Sequence, residues 1–424
     1  MKYTEGIREI PVKGEYDVIV IGSGPAGVSA AITASRSGVS TLLIEYNNAL
    51  GGMSTSGLMS HFTGSVNSKL YTEILQRSAE KNEGVHHNKI TAAIDPEKLK
   101  NVYLEMLDNE NINIRFYTLS CDVIMKSDKI IGIITESKGG RHAYYGKVII
   151  DASGDGDVAY QAGAEYSLGR EGDNKMQPAT LMFKVGGVDT DNAVFLGSFE
   201  STYDTPKGEL QALAKINIPH PAGHILVYRT TLPGIVTCNM TNAVDIEGTD
   251  AESMTKGELI CRSQIEYIIK YLREYVPGYE NCFIVSSGSM LGIRETRHFT
   301  GLYTLNEQDI LEARVFDDWV VKDAHFNFDV HNITGAGLDK TGVQHKFTQN
   351  KGYTIPYRCF VPKVIDGLLL TGRCISGTHM AHSNYRVMPI CVGMGEACGY
   401  AAAIAVRNNC NVRDVEVSAI QGML

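Results

Sequence analysis

The sequence predicts an α/β fold in which a nucleotide-binding, parallel-sheet unit is interrupted by an inserted α+β region, and three observations predict it. An apolar run, YDVIVI at 16–21, enters the glycine-rich turn GSGPAG at 22–27; a small-residue helical stretch follows, and a second apolar run, STLLIE, ends on Glu45. Beyond residue 175 the texture changes to scattered short apolar runs around one long amphipathic segment. Residues 355–424 then return to glycine-bearing loops and a small-residue helix like those at the start. At 424 residues the chain exceeds the size at which one hydrophobic core stops growing, so coupled units are expected. They are read as 1–175, the first part of the nucleotide domain; 176–354, a substrate or cap domain; and 355–424, the returning part of the first.

Taken in order, the first elements carry the most chemistry. Continuous apolar runs are what a strand buried on both faces requires. Strand, glycine-rich turn, helix, strand and acidic residue together make the dinucleotide fingerprint of a Rossmann-like unit. Gly22 allows the tight turn, Gly24 lets the backbone approach a pyrophosphate, and Gly27 lets helix and strand pack closely. The helix N-terminus offers unpaired N–H groups to phosphate, and Glu45 stands where an adenosine ribose is bound. The loop ALGGMSTSG at 49–57 suits close approach to a flat ligand. Helices are expected over 68–83 and 95–110, then an antiparallel meander near 113–150 feeding a buried strand and a second Gly/Asp-rich turn, KVIIDASGDGDVA. In the inserted region FKV, HILVYR, GIVTCNM and NCFIVSSGSMLGI read as strands; the segment 251–276 reads as a helix burying Ile260, Ile265, Ile268 and Leu272. In the tail, Gly393, Gly395 and Gly399 imitate part of a dinucleotide motif. MPIC precedes them instead of a strand, so that helix is assigned to packing and no second nucleotide domain is expected.

Composition narrows the function. With 43% apolar and 21% charged residues the chain can build cores, and disorder is not expected. A net charge of -9 gives no nucleic-acid footprint. Nine cysteines without a Cys-x-x-Cys pair suggest reduced thiols and a cytoplasmic protein, with no metal site. The polar N-terminus is no secretory signal, and the apolar stretches read as too short and too interrupted for a membrane span.

Several strings in this order, VIVIGSGPAG with LLIE, ALGGMSTSG, DASGDGDVA, GIRETRHFTG, IPYRCFVPK and TGRCISGTHMAHSNYRVMPICVGMGEACGYAAA, resemble the FAD-dependent oxidoreductases of the glutathione-reductase superfamily. More narrowly, they resemble a bacterial group related to fumarate reductase flavoproteins. The resemblance implies a Rossmann-like FAD-binding domain of glutathione-reductase type. It puts Gly22, Gly24, Pro25, Ala26 and Gly27 around the pyrophosphate, Glu45 and Tyr46 at the adenosine, and Gly51, Gly52 and Met53 near the ribityl-flavin portion. Gly154 is implied on the adenine side, Gly372 and Arg373 near the ribityl or pyrophosphate, and Arg386, Val387 and Met388 at the isoalloxazine ring. Relatives carry Gly-Asp or Gly-Glu where this chain has Gly372-Arg373, so a carboxylate contact to the ribityl chain is not assumed.

The implied activity is hydride exchange between a small organic molecule and flavin N5, with a carboxylate among the candidate substrates and an unidentified electron donor or acceptor. Flavin monooxygenase chemistry, electron transfer to a partner and noncatalytic FAD binding are the alternatives. A homo-oligomer is left open. Arg386 is the candidate for stabilising charge at flavin N1. Arg294 and Arg297 could bind a carboxylate bidentately or form internal ion pairs. His379 and His382, and more weakly His61, are candidates for proton exchange beside the flavin. Asp329 and His331 alternate along FDVHN and could form an Asp-oriented imidazole. Cys374 and Cys391 share the neighbourhood, but without Cys-x-x-Cys a disulfide-reductase mechanism is disfavoured.

Overall fold

In the computed structural model, which describes residues 3–424 apart from Glu5, Glu110 and residues 340–346, the apolar runs flanking the glycine-rich turn lie side by side as parallel strands. They are Val12–Ile21 and Thr41–Ile44, with Val18 opposite Thr41 and Ile21 opposite Ile44. The helix between them, Pro25–Arg36, begins with a proline in its first turn, where a missing N–H costs nothing, and is buried over all ten residues from Ala26 to Ser35. Its small residues, Gly27, Ser29, Ala30 and Ala34 among them, let it lie close between the sheet and a second helix, while Val28 and Ile32 fill the core.

The sheet grows outward from that pair. Its order is Ile112–Arg115, Thr41–Ile44, Val12–Ile21, Gly140–Asp151, Lys129–Ser137 and Leu119–Lys126. Gly140–Asp151 changes partners along its length: Gly140 to Tyr145 pair antiparallel with Lys129–Ser137, while Ile149 to Asp151 pair in parallel with Leu368–Leu370. The returning chain thus completes the parallel core. Ile112–Arg115, read from sequence as the first run of the meander, is instead the parallel edge strand beside Thr41–Ile44. Its burial alternates as for any half-covered edge strand, and such alternation does not name the neighbour. The expected helices form as Lys69–Lys81, capped by Ser68, and Pro96–Met106, capped by Asp95.

A second, four-stranded antiparallel sheet orders Val227–Arg229, Val236–Cys238, Phe183–Gly186 and Phe283–Ser287. The helix Ala251–Tyr275 packs on it through Ile265, Ile268 and Leu272, as the periodicity predicts. Ile260 is half-buried at the margin of that face and still packs against the same core, while Gly257 and Cys261 are buried in the helix's earlier turns. Leu291 and Ile246 close over Gly257 so tightly that a Cβ there would lie 2.9 Å from Leu291.

The apolar interior divides accordingly. One core gathers residues from Val18 to Ala164 and from Phe299 to Ile420; the other runs from Ala179 to Leu291. The stretch 297–354, grouped by sequence with the inserted region, buries Phe299, Val321 and Tyr353 in the first core. Its strands are too short to reveal in sequence which sheet they join.

The helix Met388–Asn408 is the spine of the first unit and packs along Pro25–Arg36. A Cβ on Gly395 would lie 2.0 Å from the Ala26 carbonyl oxygen, and one on Gly399 2.7 Å from that of Ala30. These glycines therefore serve close helix packing. At 21 residues this helix does have the length and composition of a membrane span, contrary to the reading that every apolar stretch falls short. Its most apolar 18-residue window is 89% buried within the fold, which accounts for its apolarity.

Candidate active site

The glycine-rich turn sorts its glycines by what surrounds them. Gly22 has φ 90° and would press a Cβ to 2.5 Å from the Ala152 oxygen; Gly27 would bring one to 1.9 Å from the Gly22 oxygen. Both are required by the protein's own packing. A Cβ on Gly24 would meet nothing within 4 Å. Gly24 caps the helix Pro25–Arg36 without any side-chain hydrogen bond, so its first N–H groups face this open space. Gly52 borders the same space, where a Cβ on it would lie 3.0 Å from the Gly24 Cα, and Gly51 donates from its N–H to the Ser23 carbonyl at 2.7 Å. That cradle fits a pyrophosphate.

Glu45 sits at the cradle's edge and is itself buried. Ser23 donates to its Oε2 from N (2.8 Å) and Oγ (2.6 Å), and Asn47 donates to Oε1 from N (2.7 Å) and Nδ2 (2.9 Å). The carboxylate thus braces the turn, and a ribose hydroxyl would take the place of one side-chain donor. Tyr46 is exposed at the surface beyond it. On the adjoining strand end, Gly154 (φ 89°) faces Arg373, whose Nη2 donates to Asp155 Oδ1 at 3.0 Å. Gly372 lies across the turn, its absent Cβ 3.1 Å from that of Ala26.

From here a cavity of about 970 Å³ opens between the two units. Met53, Val387 and Met388 line one side, and Arg294, Arg373 and Arg386 all reach it. Arg294 places Nη1 on the Pro178 carbonyl (2.5 Å) and the Thr180 hydroxyl (2.9 Å); among the described residues its Nε and Nη2 make no hydrogen bond. Arg386 Nη2 donates to the Asp329 carboxylate at 2.8 Å and to its carbonyl at 2.9 Å. Arg386 Nε and Arg373 Nη1 are buried without a partner among the described residues. His331 Nε2 lies 3.3 Å from Asp329 Oδ2, which completes a row from Arg386 through Asp329 to His331. Burial would raise the Asp329 carboxyl, but His331 and the arginines outweigh it and hold it well below the usual range. His61 faces the same space, stacked on Tyr228 with ring centroids 5.3 Å apart; burial lowers its pKa, so it is neutral at pH 7.

His379 and His382 do not line this cavity. They lie buried behind it with Glu295 and His298: Glu295 Oε1 accepts from His379 Nδ1 at 2.5 Å and from His298 Nε2 at 2.8 Å. His382 packs edge-to-face on His298, and burial holds its pKa well below the ordinary value. Substrate protonation by either imidazole therefore lacks a path in this arrangement. Glu295 supplies the carboxylate that sequence spacing alone did not place near the His379/His382 pair. Donor atoms of Glu295, His298 and His382 lie within 4.8 Å of one another. Arg386 and Arg373 act electrostatically on His382 in this cluster, which opposes a dication there. Arg297 turns the other way, pairing with Asp157 at 2.9 Å and covering the Tyr160 ring at 4.2 Å. The two arginines of GIRETRH therefore separate: Arg294 serves the cavity and Arg297 joins elements. Both cysteines singled out are buried thiols, with burial pushing Cys391 up to about 12 and Cys374 well above its usual value. Neither is a thiolate.

Tyr228, Asn239 and the position of Glu295 had no sequence signal. Tyr228 reads as one residue of a short strand, and only the tertiary fold brings it opposite His61, 167 positions away.

His331 and His224 supply a stability prediction. Burial and then Arg294 push His331 down to about 4; burial does the same to His224, overcoming its bond to the Asn239 carbonyl. In the unfolded chain both titrate near 6.5. Between pH 6.5 and 4 the unfolded state binds more protons, so the stability they contribute is fully present above 6.5 and lost as pH falls to 4, up to about 3 kcal/mol each. Asp157, raised to about 6 chiefly by burial and then by Asp155, works in the opposite sense but is half exposed. Urea midpoints are expected to fall clearly from pH 7.5 to pH 5. Equal midpoints would mean that both imidazoles are solvated.

Comparison with known proteins agrees with this geometry. The FAD dependent oxidoreductase family matches residues 17–424, and the chain belongs to that family, with FAD as its cofactor. It is 27% identical over 177 residues to the tRNA uridine 5-carboxymethylaminomethyl modification enzyme of Streptococcus pneumoniae, covering 36% of this chain and 27% of that one. It is 29% identical over 166 residues to the thiamine thiazole synthase of Methanococcus maripaludis, covering 37% of this chain and 61% of the other. The matched regions thus span less than two thirds of either relative. In fold it is similar to a geranylgeranyl bacteriochlorophyll reductase-like protein of Thermoplasma acidophilum, with TM-score 0.51, 13% identity and 96% and 82% of the two chains covered. It is similar also to a flavin-dependent brominase, with the same TM-score, identity and coverage. All are enzymes or named for enzymes, and this chain is an FAD-dependent oxidoreductase.

Proposed function

We propose that this oxidoreductase exchanges a hydride between a small organic acid and FAD, in a cleft between its two units. The observation that carries the reading is one end of the cavity, where Arg294 and Arg386 both reach the space, the Asp329 carboxylate bonds Arg386 and feels Arg294 only through its charge, and among the described residues Arg294 Nε and Nη2 and Arg386 Nε make no hydrogen bond. A substrate carboxylate supplies the missing acceptors and the missing charge. FAD, when bound, supplies a two-electron acceptor or donor. Arg373 and the uncapped N-terminus of Met388–Asn408 are suited to hold its anionic groups.

The chain's own residues do the rest. Arg294 holds the acid, and the cap side of the cavity limits water. Neutral His331, oriented by Asp329, takes the proton released from the substrate's O–H or N–H in the oxidative direction and returns it in the other. Binding of an anion against Arg294 and Arg386 offsets the two charges that depress His331, so the base strengthens when substrate arrives. The single nucleotide cradle and the meander beside it support the glutathione-reductase type and the relation to fumarate reductase flavoproteins. An external electron donor or acceptor, a cytoplasmic setting and self-association belong to the same proposal.

The experiment is anaerobic: FAD-loaded protein is screened with carboxylates, amines, alcohols and NAD(P)H while flavin absorbance is followed. Bleaching by an acid supports the reading; bleaching only by neutral compounds removes the role of the arginines. Arg294→Lys is expected to raise KM for that acid about 10–100-fold, as a bidentate contact becomes a point charge. The fold likeness to a brominase favours monooxygenase-type chemistry as the second reading. Oxygen uptake coupled to a hydroxylated product would select it.

A further inference from the structure

The arginines occupy one end of the cavity, and the remainder is walled quite differently. Met53, Val387 and Met388 belong to the two segments suited to the cofactor. The lining from other elements is rich in aromatic and aliphatic side chains, Phe195, Phe199, Leu226, Tyr228, Phe326 and Phe328. Arg229 lies over the Phe195 ring at 3.9 Å, and Glu200 and Asn239 are polar members of this lining. Phe199 stands edge-on to His331 at 5.2 Å and to His224 at 4.8 Å, next to the proposed proton acceptor. His61 and Tyr228 present rings within 3° of parallel. The cavity's volume of about 970 Å³ includes the flavin side at Met53, Val387 and Met388, so it is the aromatic character of the remaining lining, not the total volume, that bears on the substrate. A two- to four-carbon acid would satisfy Arg294 while leaving the aromatic wall against water, and apolar burial is the main source of affinity in such clefts.

We propose that the acid bound here carries an apolar body of aryl size, its carboxylate at Arg294 and Arg386 and its ring against the Phe195–Phe199 and Tyr228 wall. The assignment rests on the acid reading above and adds the chemistry of the rest of the ligand. Phe199 is the specificity residue: it contacts the body of the ligand and leaves the carboxylate to the arginines.

The test uses the FAD-loaded protein and reads perturbation of the bound flavin spectrum by acetate, butanoate, benzoate, phenylacetate and neutral benzamide. Benzoate or phenylacetate is expected to bind at least tenfold tighter than acetate. In Phe199→Ala, with flavin retention confirming the fold, that ratio is expected to shrink several-fold while acetate affinity holds. Acetate binding as tightly as the aryl acids overturns the aryl assignment and leaves the acid reading standing. Benzamide matching benzoate overturns the acid reading instead. No spectral response to any member of the series overturns the proposal.

Discussion

Gly24→Ala is expected to fold with unchanged stability and to lose FAD, whereas Gly27→Ala is expected to lose the fold itself. Gly24 has φ -62° and ψ 179°, a conformation open to any residue, and its Cβ would meet nothing within 4 Å. An alanine there disturbs only a ligand that needs the backbone surface. If the clash costs about 1–3 kcal/mol, FAD affinity falls roughly 5- to 150-fold. Gly27 faces the Gly22 carbonyl oxygen, and no rotamer of any side chain removes a Cβ at 1.9 Å. Helix and strand would have to part, opening the core beneath Val18–Ile21, at a cost above about 3 kcal/mol. Thermal melts of cofactor-stripped protein, alongside flavin released on desalting, separate the two. A Gly24→Ala protein that retains flavin like the parent would mean that the phosphates bind elsewhere.

That contrast also shows what sequence could and could not disclose. The roles of Gly22, Gly24 and Gly27 were legible because local geometry fixes them: strand, turn and helix are contiguous, and spacing states which glycine packs and which admits a ligand. The helix Ala251–Tyr275 was legible for a similar reason, since its period is local. Glu295 was not. It lies between the two arginines that drew attention, and its partners His379 and His298 meet it only because the strand Arg297–Phe299 passes beside the short helix His379–Tyr385. The same physics misdirected the proton-transfer assignment. Nearness of His379 and His382 to Arg386 in sequence suggested a shared cleft, but the helix turns them inward while Arg386, at its C-terminus, faces out. FDVHN held the better signal: alternation joins Asp329 to His331 in the fold as in the string.

Asp329→Asn is expected to lower kcat by about 10²- to 10⁴-fold, the usual range for a positioned proton-transfer group, with KM for an acid substrate unchanged or lower. The carboxylate holds Arg386 at 2.8 Å and stands 3.3 Å from His331 Nε2. An amide keeps the shape and can still accept from Arg386, so the scaffold survives. It removes the negative charge that faces the Arg294 and Arg386 guanidinium groups, which favours an anionic substrate. The same loss weakens His331, whose pKa the Asp329 charge raises against burial and Arg294. The sign follows: with the counter-charge gone His331 protonates at still lower pH, so the acidic limb of the kcat profile moves to lower pH as the plateau falls. A merely structural Asp329 would lower activity through instability, with the limb unmoved and the melting temperature reduced. The decisive comparison is therefore kcat and KM across about pH 3–8 for the parent and Asp329→Asn, a window that brackets the His331 value of about 4, with melting temperatures beside them; a shifted limb on a stable protein assigns the proton to His331, and an unshifted one removes His331 from the chemistry.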